Sequence, residues 1–590
     1  MPQPQSEHPF AAPEARPGRT WDVVVVGAGH AGIEAALAAA RLGARVALVT
    51  LRADRIGEMS CNPAIGGLGK GQIVREVDAL GGAMGRLADA TGIQFRMLNT
   101  RKGAAVRALR CQSDRHLYRE AATYMVQNQP GIEVLEGAVT GLEIVPARKE
   151  PGAGPWAVAG VHLGDGRSLM AGAVVLTAGT FLRAIMFTGE AKSSGGRVGE
   201  ASADELSAHI ERLGLQLGRL KTGTPPRLRR SSLDFGAMEE QWGDPDPVRF
   251  SYETPAAGFP SLPQVPCHIT YTSEAAHGLI RANIHRAPMY MGAIQGVGPR
   301  YCPSVEDKVM RFADRERHQV FVEPEGLQTE SIYVNGVSTS LPAEVQEAFI
   351  RTIPGLERAE FLRHGYAVEY DFLQPSQLNH TLGVRHVPGL YLAGQLNGTS
   401  GYEEAAAQGL IAGANAALWL QDRAPLTLGR HEAYIGVLVD DLILTDPREP
   451  YRMFTSRAEH RLLLRHDNAD QRLVERGAAV GLVEPAALLR LRAKEARLEE
   501  ARRVLQSLRG EGGKSAYDRL RTAGENLTAM AQELEAVAAL GLDAELREAL
   551  EVEAKYAGYI ARQETLVQRM AEQESTPLPP DLDYARLQGL

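Results

Sequence analysis

The stretch WDVVVVGAGHAGIEAALAAARLGARVALVT, Trp21 to Thr50, constrains the fold of this chain more than any other. Val23 to Val26 are β-branched and apolar toward both faces, the pattern of a strand buried on both sides. They run directly into Gly27, Ala28, Gly29, His30, Ala31 and Gly32, then into a helix of small residues that stops at Gly43, then into a second strand. Strand, G-x-G-x-x-G, helix and strand in this order make a turn tight enough for a pyrophosphate to reach the helix N-terminus. Unpaired N–H groups and the helix dipole favour an anion there. The pattern predicts an α/β nucleotide-binding unit with Gly27–Gly32 against the phosphates. The acidic residue usual after the second strand is absent, because Thr50 is followed by Leu51 and Arg52. By itself this unit leaves NAD and FAD both open.

Two later segments have the same character. AGAVVLTAGTFLRA, Ala171 to Ala184, reads as a buried strand entering a small-residue turn. VPGLYLAGQLNGTSGYEEAAAQGLIAGANAALWL, Val387 to Leu420, reads as a strand, a glycine turn at Gly394 and Gln395, and a long small-residue helix. Together the three resemble the signatures of the glutathione-reductase-like flavoprotein fold, and the resemblance implies FAD. Gln395 then stands where many relatives carry Asp, able to hydrogen-bond a ribityl chain or phosphate without adding charge. Val139, within GIEVLEGAVTGLEIV read as one strand, would present its backbone to adenine. The expected architecture is α/β: a glutathione-reductase-like, FAD-binding Rossmann domain split over 21–220 and 376–425, with an α/β domain inserted at 221–375. A helical region follows at 426–590, and a Pro-rich polar tail, expected to be flexible, occupies 1–20.

Bulk properties exclude several classes. The 590 residues leave room for two to four domains, and the 44% hydrophobic and 23% charged content is that of a soluble globular protein. No apolar run approaches the roughly 20 residues of a membrane span, and the N-terminus has no apolar signal core. A cytoplasmic protein is expected. The four cysteines, Cys61, Cys111, Cys267 and Cys302, form no C-x-x-C pair, which disfavours a zinc ribbon, a thioredoxin site and a disulfide framework. The net charge of −8 argues against generic nucleic-acid binding but leaves room for a local basic patch.

Longer stretches carry a closer resemblance: GAGHAG, MSCNPAIGGLGKG, VDALGGAMG, RLKTGTPPR, GVGPRYCPSVEDKVMRFADR, VEPEGL, GTSGYEEAAAQG, EPYRMFTSRAEHRLLLRHDNADQRL and KYAGYIARQ. Through these the chain, from about Trp21 onward, resembles the MnmG (GidA) family of tRNA uridine 5-carboxymethylaminomethyl modification flavoproteins. The resemblance implies attachment of a methylenetetrahydrofolate-derived carbon and the nitrogen of glycine or ammonia to C5 of the wobble uridine. FAD cycles with NADH, the folate-binding GTPase MnmE is the partner, the anticodon stem-loop of tRNA is the substrate, and a homodimer is implied. Family members continue into a further small helical domain beyond the equivalent of Leu590, so weaker tRNA and partner binding is expected of this chain. Two other readings compete: the folate-dependent tRNA uridine-54 methyltransferase, which lacks the long arginine-bearing helical tail, and a noncatalytic flavin-bearing tRNA scaffold.

The implied reaction sets chemical demands. Uracil C5 is a poor nucleophile, and a thiolate added at C6 would activate it; such a thiol needs a lowered pKa. Cys61 and Cys302 are the candidates. Cys61 sits in EMSCNPAIGGLGKGQ, Glu58 to Gln72, too rich in glycine for regular structure; Gly66, Gly67, Gly69 and Gly71 are expected to bring backbone N–H groups to the cofactor while Pro63 stiffens the turn. Cys302 is flanked by Arg300 and Lys308, with Pro299 and Pro303 beside it. Cys111 and Cys267 have no such setting and read as small core residues as readily as reactive ones. By resemblance, Ser194 is a further FAD contact. Likewise Gly298, Pro299, Arg300, Tyr301, Cys302, Pro303, Ser304, Val305, Glu306, Asp307, Lys308, Val309, Met310, Arg311 and Phe312 form the nicotinamide segment. Arg457, Arg461 and Arg465 fall at helical spacing and, with Lys221 and Arg227, are expected to meet tRNA phosphates, against the plainer reading of a solvated, ion-paired face. From about Glu484 the chain reads as helical, with Leu491, Leu498 and Leu505 as an internal packing stripe.

Overall fold

The computed structural model describes residues 20–147, 154–300, 303–510, 513–574 and 582; the expected tail lies, apart from Thr20, outside the described residues. The strand Trp21–Val26 pairs in parallel with Val46–Thr50 on one side and Ser168–Leu176 on the other. Ile132–Glu136 extends the parallel sheet at one edge, and Leu390–Leu392 adds to Ser168–Leu176 beyond the other side. The antiparallel strands Trp156–Leu163 and Val139–Pro146 complete a seven-stranded sheet. Val23, Val24 and Val25 are fully buried, as a continuous β-branched run requires. GIEVLEGAVTGLEIV is two strands rather than one: Ile132–Glu136 ends before Gly137, and Val139 opens the next, in a different part of the sheet.

One face of the sheet is covered by two helices, His30–Arg41 and Tyr402–Leu420, which lie against each other at backbone contact. A Cβ on Gly409 would sit 2.1 Å from the Ala31 carbonyl oxygen, and one on Gly413 2.2 Å from that of Ala35. The glycines of AAAQGLIAGANAAL are thus the means by which a helix close to the C-terminal end of this domain docks on the helix nearest its start.

A four-stranded antiparallel sheet, ordered Ala191–Ser194, Ile185–Thr188, Tyr366–Leu373 and Leu217–Thr224, adjoins this core. Beyond it a six-stranded sheet from residues between Arg227 and Arg363 has its own core of Val320, Val322, Ile332, Val334, Phe349 and neighbours. The expected boundary after residue 220 falls inside the strand Leu217–Thr224, which pairs along its whole length with Tyr366–Leu373. The small sheet of Ala64–Gly66, Ala108–Ser113 and Gly92–Leu98 was not foreseen.

Described residues after Ala469 are predominantly helical. In Pro485–Ser507, Leu491 joins the main core, while Leu498 and Leu505 pack with Leu520, Leu527, Met530 and Leu550 in a separate helical core. The heptad-spaced leucines are an internal packing stripe, as expected.

The two-helix contact makes a direct prediction. Gly413→Ala forces the helices apart and lowers stability by about 1–3 kcal/mol. A fall in thermal unfolding midpoint checks it, with the same substitution at exposed Gly558 as the control.

Candidate functional site

A cavity of about 710 Å³ runs from the glycine turn after the first strand, past Thr50 and Val139, to Gln395, Tyr402 and Cys61. At one end Gly27 has φ +103°, and a Cβ on Gly32 would lie 1.8 Å from the Gly27 carbonyl oxygen. At Gly29, by contrast, nothing lies within 4 Å of where a Cβ would be. The helix His30–Arg41 has neither a side-chain cap nor an acid in its first turn. Its open N-terminus and the uncrowded Gly29 fit an extended dinucleotide with its pyrophosphate at the turn. Gly27, Ala28, Gly29, His30 and Ala31 line the cavity; Gly32 packs beneath it. Burial, partly opposed by Glu403, pulls the His30 pKa down to about 4, so its imidazole is neutral at physiological pH.

The N-terminus of Tyr402–Leu420 also faces this cavity without a side-chain cap. The acids in its first turn are engaged elsewhere. Glu403 accepts from Lys70 Nζ at 2.8 Å and Gly66 N at 2.6 Å; Glu404 accepts from Lys70 Nζ at 3.0 Å and Met453 N at 2.9 Å. Lys70 therefore offsets one of the two negative charges at this helix end, and the backbone N–H groups of Gly66 and Met453 bond to the two carboxylates as well. Gln395 donates from Nε2 to Tyr370 Oη at 2.8 Å, which holds its amide at the cavity wall.

The segment around Cys61 is more regular than its composition predicts. Ala64–Gly66 is a strand, and a helix begins at Lys70. Gly66, Gly69 and Gly71 serve packing, whereas a Cβ on Gly67 would meet nothing within 4 Å. A Cβ on Gly66 would fall 2.3 Å, and one on Gly71 2.6 Å, from the Leu109 carbonyl oxygen. Gly67 N donates to that same oxygen at 2.8 Å and Gly71 N to Gly67 O. With Gly66 N held by Glu403, the N–H groups of Gly66, Gly67 and Gly71 bond within the protein.

Cys61 itself is half-buried on the cavity wall. Its N–H donates to Tyr402 Oη at 2.7 Å, its carbonyl accepts from Arg227 Nη2 at 3.0 Å, and its Sγ lies 3.2 Å from Tyr333 Oη. Behind it Glu325 accepts from Arg115 at 2.9 Å and Arg227 at 3.1 Å. Glu58 pairs with Arg115, with Arg55 at 3.2 Å and with Arg119 at 3.3 Å. Two carboxylates thus share four guanidinium groups, one of which, Arg55, also lies 3.8 Å from Asp54. Burial would raise the Glu58 carboxyl, but Arg115 and its neighbours outweigh that and hold it down to about 2. Burial pushes the Cys111 thiol far up and the Cys267 thiol up to about 12, so both are inert core residues at neutral pH.

Other expected residues fare differently. Ser194 is exposed at the end of a strand and absent from the cavity lining, whereas Gly196 and Arg197, just beyond it, do line it. In the nicotinamide segment Pro299 lines the cavity; Tyr301 and Cys302 lie outside the described residues. Ser304 caps the helix Val305–Arg311, Val305 and Val309 enter the core of the inserted domain, and Glu306 accepts from Thr339 and Ser340; these four are structural. Lys308 Nζ donates to Gly336 O, while Met310 and Phe312 are exposed.

The arginine stripe does not form. Thr455–Arg457 is a single 3₁₀ turn, and only turns connect it to Arg465. Arg465 is buried against Asp467. Arg457 stacks 4.1 Å from the Tyr451 ring centroid and donates to Arg452 O. Arg461 alone of the three is exposed. Lys221 and Arg227 are buried too, Arg227 behind Cys61. Desolvation and local acceptors claimed these cations, which spacing alone could not show. Tyr402 was legible only within GTSGYEEAAAQG; Tyr333, Arg115 and Glu325 carry no local signal, because strands and a helix far apart in sequence bring them to Cys61.

The Glu58 pairing is testable by pH. Glu58 is depressed below its ordinary 4.5, so its stabilisation is present above about pH 4.5 and is lost as pH falls toward 2. Glu58→Gln should destabilise by about 1–3 kcal/mol at pH 7. Unfolding midpoints of variant and wild type should converge as acid is added; a pH-independent gap would show that charge is not what Glu58 contributes.

Comparison with known proteins agrees with this geometry. Residues 22–424 match the family model described as glucose inhibited division protein A, and 486–564 match the tRNA modifying enzyme MnmG/GidA C-terminal helical domain. The chain is 49% identical over 592 residues to the tRNA uridine 5-carboxymethylaminomethyl modification enzyme MnmG of Syntrophotalea carbinolica, covering 97% of this chain and 93% of that one. It is 50% identical over 572 residues to the protein of the same name from Rhodopirellula baltica, covering 96% and 87%. The solved structure of Aquifex aeolicus GidA in its form II crystal superposes with a TM-score of 0.87 at 43% identity, covering 98% of this chain and 93% of that one. With the family model matched over most of the chain and the relatives covered almost end to end, the chain belongs to the MnmG/GidA family.

Proposed function

We infer that this chain is a tRNA-modifying enzyme that builds a carboxymethylaminomethyl group at C5 of a tRNA uridine, using FAD and NADH. Family membership carries the activity. The single structural observation that supports the chemistry is one cavity with an open helix N-terminus at one end and Cys61, backed by arginines, at the other. FAD, when bound, supplies the redox chemistry between NADH and the folate-derived carbon. The glycine turn and the two uncapped helix N-termini would hold its phosphates, with Val139 and Gln395 available along the same cavity.

The chain's own part centres on Cys61. Its thiolate adds to C6 of the uracil: the sulfur electron pair forms the C6–S bond and the C5–C6 π pair moves onto O4 as an enolate. C5 is then nucleophilic and attacks the folate-derived carbon as a methylene iminium, whose C=N π pair moves onto nitrogen; a base then takes the C5 proton, the C5–C6 double bond re-forms and the C6–S bond breaks, returning the thiolate. Family resemblance alone makes Cys302, which lies outside the described residues, the second cysteine of the reaction. The target is the wobble uridine, in a single-stranded loop where unstacking a base is least costly. The folate-binding GTPase MnmE is the partner, the enzyme is a homodimer, and exposed Arg461 belongs to the tRNA-binding surface. The uridine-54 methyltransferase reading is disfavoured by the matching helical region 486–564 and by the relatives' names. Among the described residues, no helix is long and apolar enough to cross a membrane.

Cys61→Ser should bind FAD and tRNA normally yet leave the wobble uridine unmodified, read by nucleoside mass spectrometry in a deletion strain carrying the variant. Normal modification would remove Cys61 from the mechanism; loss of FAD would reduce the loop to a cofactor cradle.

The tRNA surface separates Arg461 from Arg465. Arg461→Ala should weaken tRNA binding and reduce its log–log salt slope by about 0.7–0.9. Arg465→Ala should instead lower the unfolding midpoint, because it strands buried Asp467. Titrations of tRNA at several salt concentrations, beside melting curves, check both.

A further inference from the structure

We propose that Tyr333 is the positioning residue of the Cys61 thiol: its phenol donates a hydrogen bond to Sγ as the thiol loses its proton. This rests on the reading of Cys61 as the thiolate given above. Tyr333 Oη lies 3.2 Å from Cys61 Sγ, within range for a sulfur hydrogen bond. A free phenol is less acidic than a free thiol, so the sulfur ionises first and the phenol becomes the donor.

Tyr333 is unusually well held for this role. It lies in the strand Ser331–Asn335, paired with Gln319–Pro324 on one side and Arg227–Arg229 on the other, and it is only 4% exposed. Its register partner is Arg227, whose guanidinium carbon sits 4.7 Å from the Tyr333 ring centroid. The same guanidinium donates to the Cys61 carbonyl at 3.0 Å. One cation therefore fixes both ends of the contact, the backbone that carries the sulfur and the ring that carries the hydroxyl. A cation against the ring face also withdraws electron density and strengthens the phenol as a donor.

The geometry has a further consequence. Cys61 belongs to the nucleotide-binding domain and Tyr333 to the six-stranded sheet of the inserted domain. The thiol is poised only where the two domains meet. Arg227 behind it and the phenols Tyr366 and Tyr402 beside it also interact with it electrostatically, while Arg115 and Glu325 act on Arg227. Of the phenols around it, Tyr333 has its hydroxyl 3.2 Å from the sulfur.

The test uses the full-length FAD-loaded enzyme carrying Tyr333→Phe, which removes one oxygen and leaves the ring against Arg227. Alkylation of Cys61 by iodoacetamide is followed from pH 5 to 10 by mass spectrometry of the Cys61 peptide. The expected result is a profile displaced upward by about one pH unit, so that alkylation at neutral pH slows about tenfold. FAD content and melting temperature stay at wild-type values. tRNA modification falls in parallel at neutral pH and recovers as pH rises, which a merely structural defect would not produce. A profile that superposes on wild type overturns the proposal. If Tyr333→Phe does not fold, 3-fluorotyrosine at position 333 keeps the packing and changes the acidity of the donor; an unmoved profile overturns the proposal equally. Active Cys61→Ser would instead overturn the thiolate reading itself, whatever Tyr333 does to alkylation.

Discussion

The structure around the candidate site depends on a buried knot of charge. Glu58 precedes the cysteine loop, Arg115 begins the helix Arg115–Gln127, and Glu325 and Arg227 belong to the inserted domain. Arg115 bridges both carboxylates, and each carboxylate has at least one further arginine, so the cluster is cross-linked and displacing one member weakens several buried pairs together. A buried ion pair adds little net stability compared with apolar packing, but breaking one is expensive. Such a cluster therefore specifies relative position more than it stabilises. Here it specifies how the inserted sheet meets the nucleotide-binding domain, and Cys61 lies on that seam.

Glycine does two opposite jobs in this fold. At Gly29 the missing side chain leaves open space before a helix N-terminus, and that space belongs to the cavity. At Gly409, Gly413, Gly66 and Gly71 it lets backbone meet backbone, with virtual Cβ positions 2.1–2.6 Å from carbonyl oxygens. The second use is structural but bears on function. The docking of Tyr402–Leu420 on His30–Arg41 brings Tyr402 to Cys61 N, and the contact of Gly66 and Gly71 with Leu109 holds the cysteine loop against its small sheet. A ligand-sized cavity results because some glycines exclude space and others create it.

Composition and spacing read the first use correctly and the second wrongly. The strand, glycine turn and helix at Trp21–Arg41 were legible because their order is local and each step has one physical purpose. The heptad leucines of Pro485–Ser507 were legible for the same reason. In the glycine run after Cys61, Gly66 lines the cavity, but the N–H groups of Gly66, Gly67 and Gly71 bond within the protein; a glycine that approaches a carbonyl from a distant strand looks the same in sequence as one that approaches a phosphate. The arginines failed similarly. Spacing of four suggested a helical stripe, but Arg465 found Asp467 two residues away, and the segment folds as turns that bury it. Arg227 was placed among tRNA contacts although it stands behind the sulfur.

The sequence alone determined the α/β nucleotide-binding core, the helical C-terminal region and the family, because each rests on local order or on long matched stretches. Tertiary structure alone decided the surroundings of Cys61. Tyr333, Arg227, Glu325 and Arg115 come from strands and a helix that no periodicity links to it, and they act on the sulfur, directly or through Arg227, over distances set only when two domains close on each other. Thiol reactivity depends on the field at one atom, and that field is a property of packing, which no stretch of sequence carries by itself.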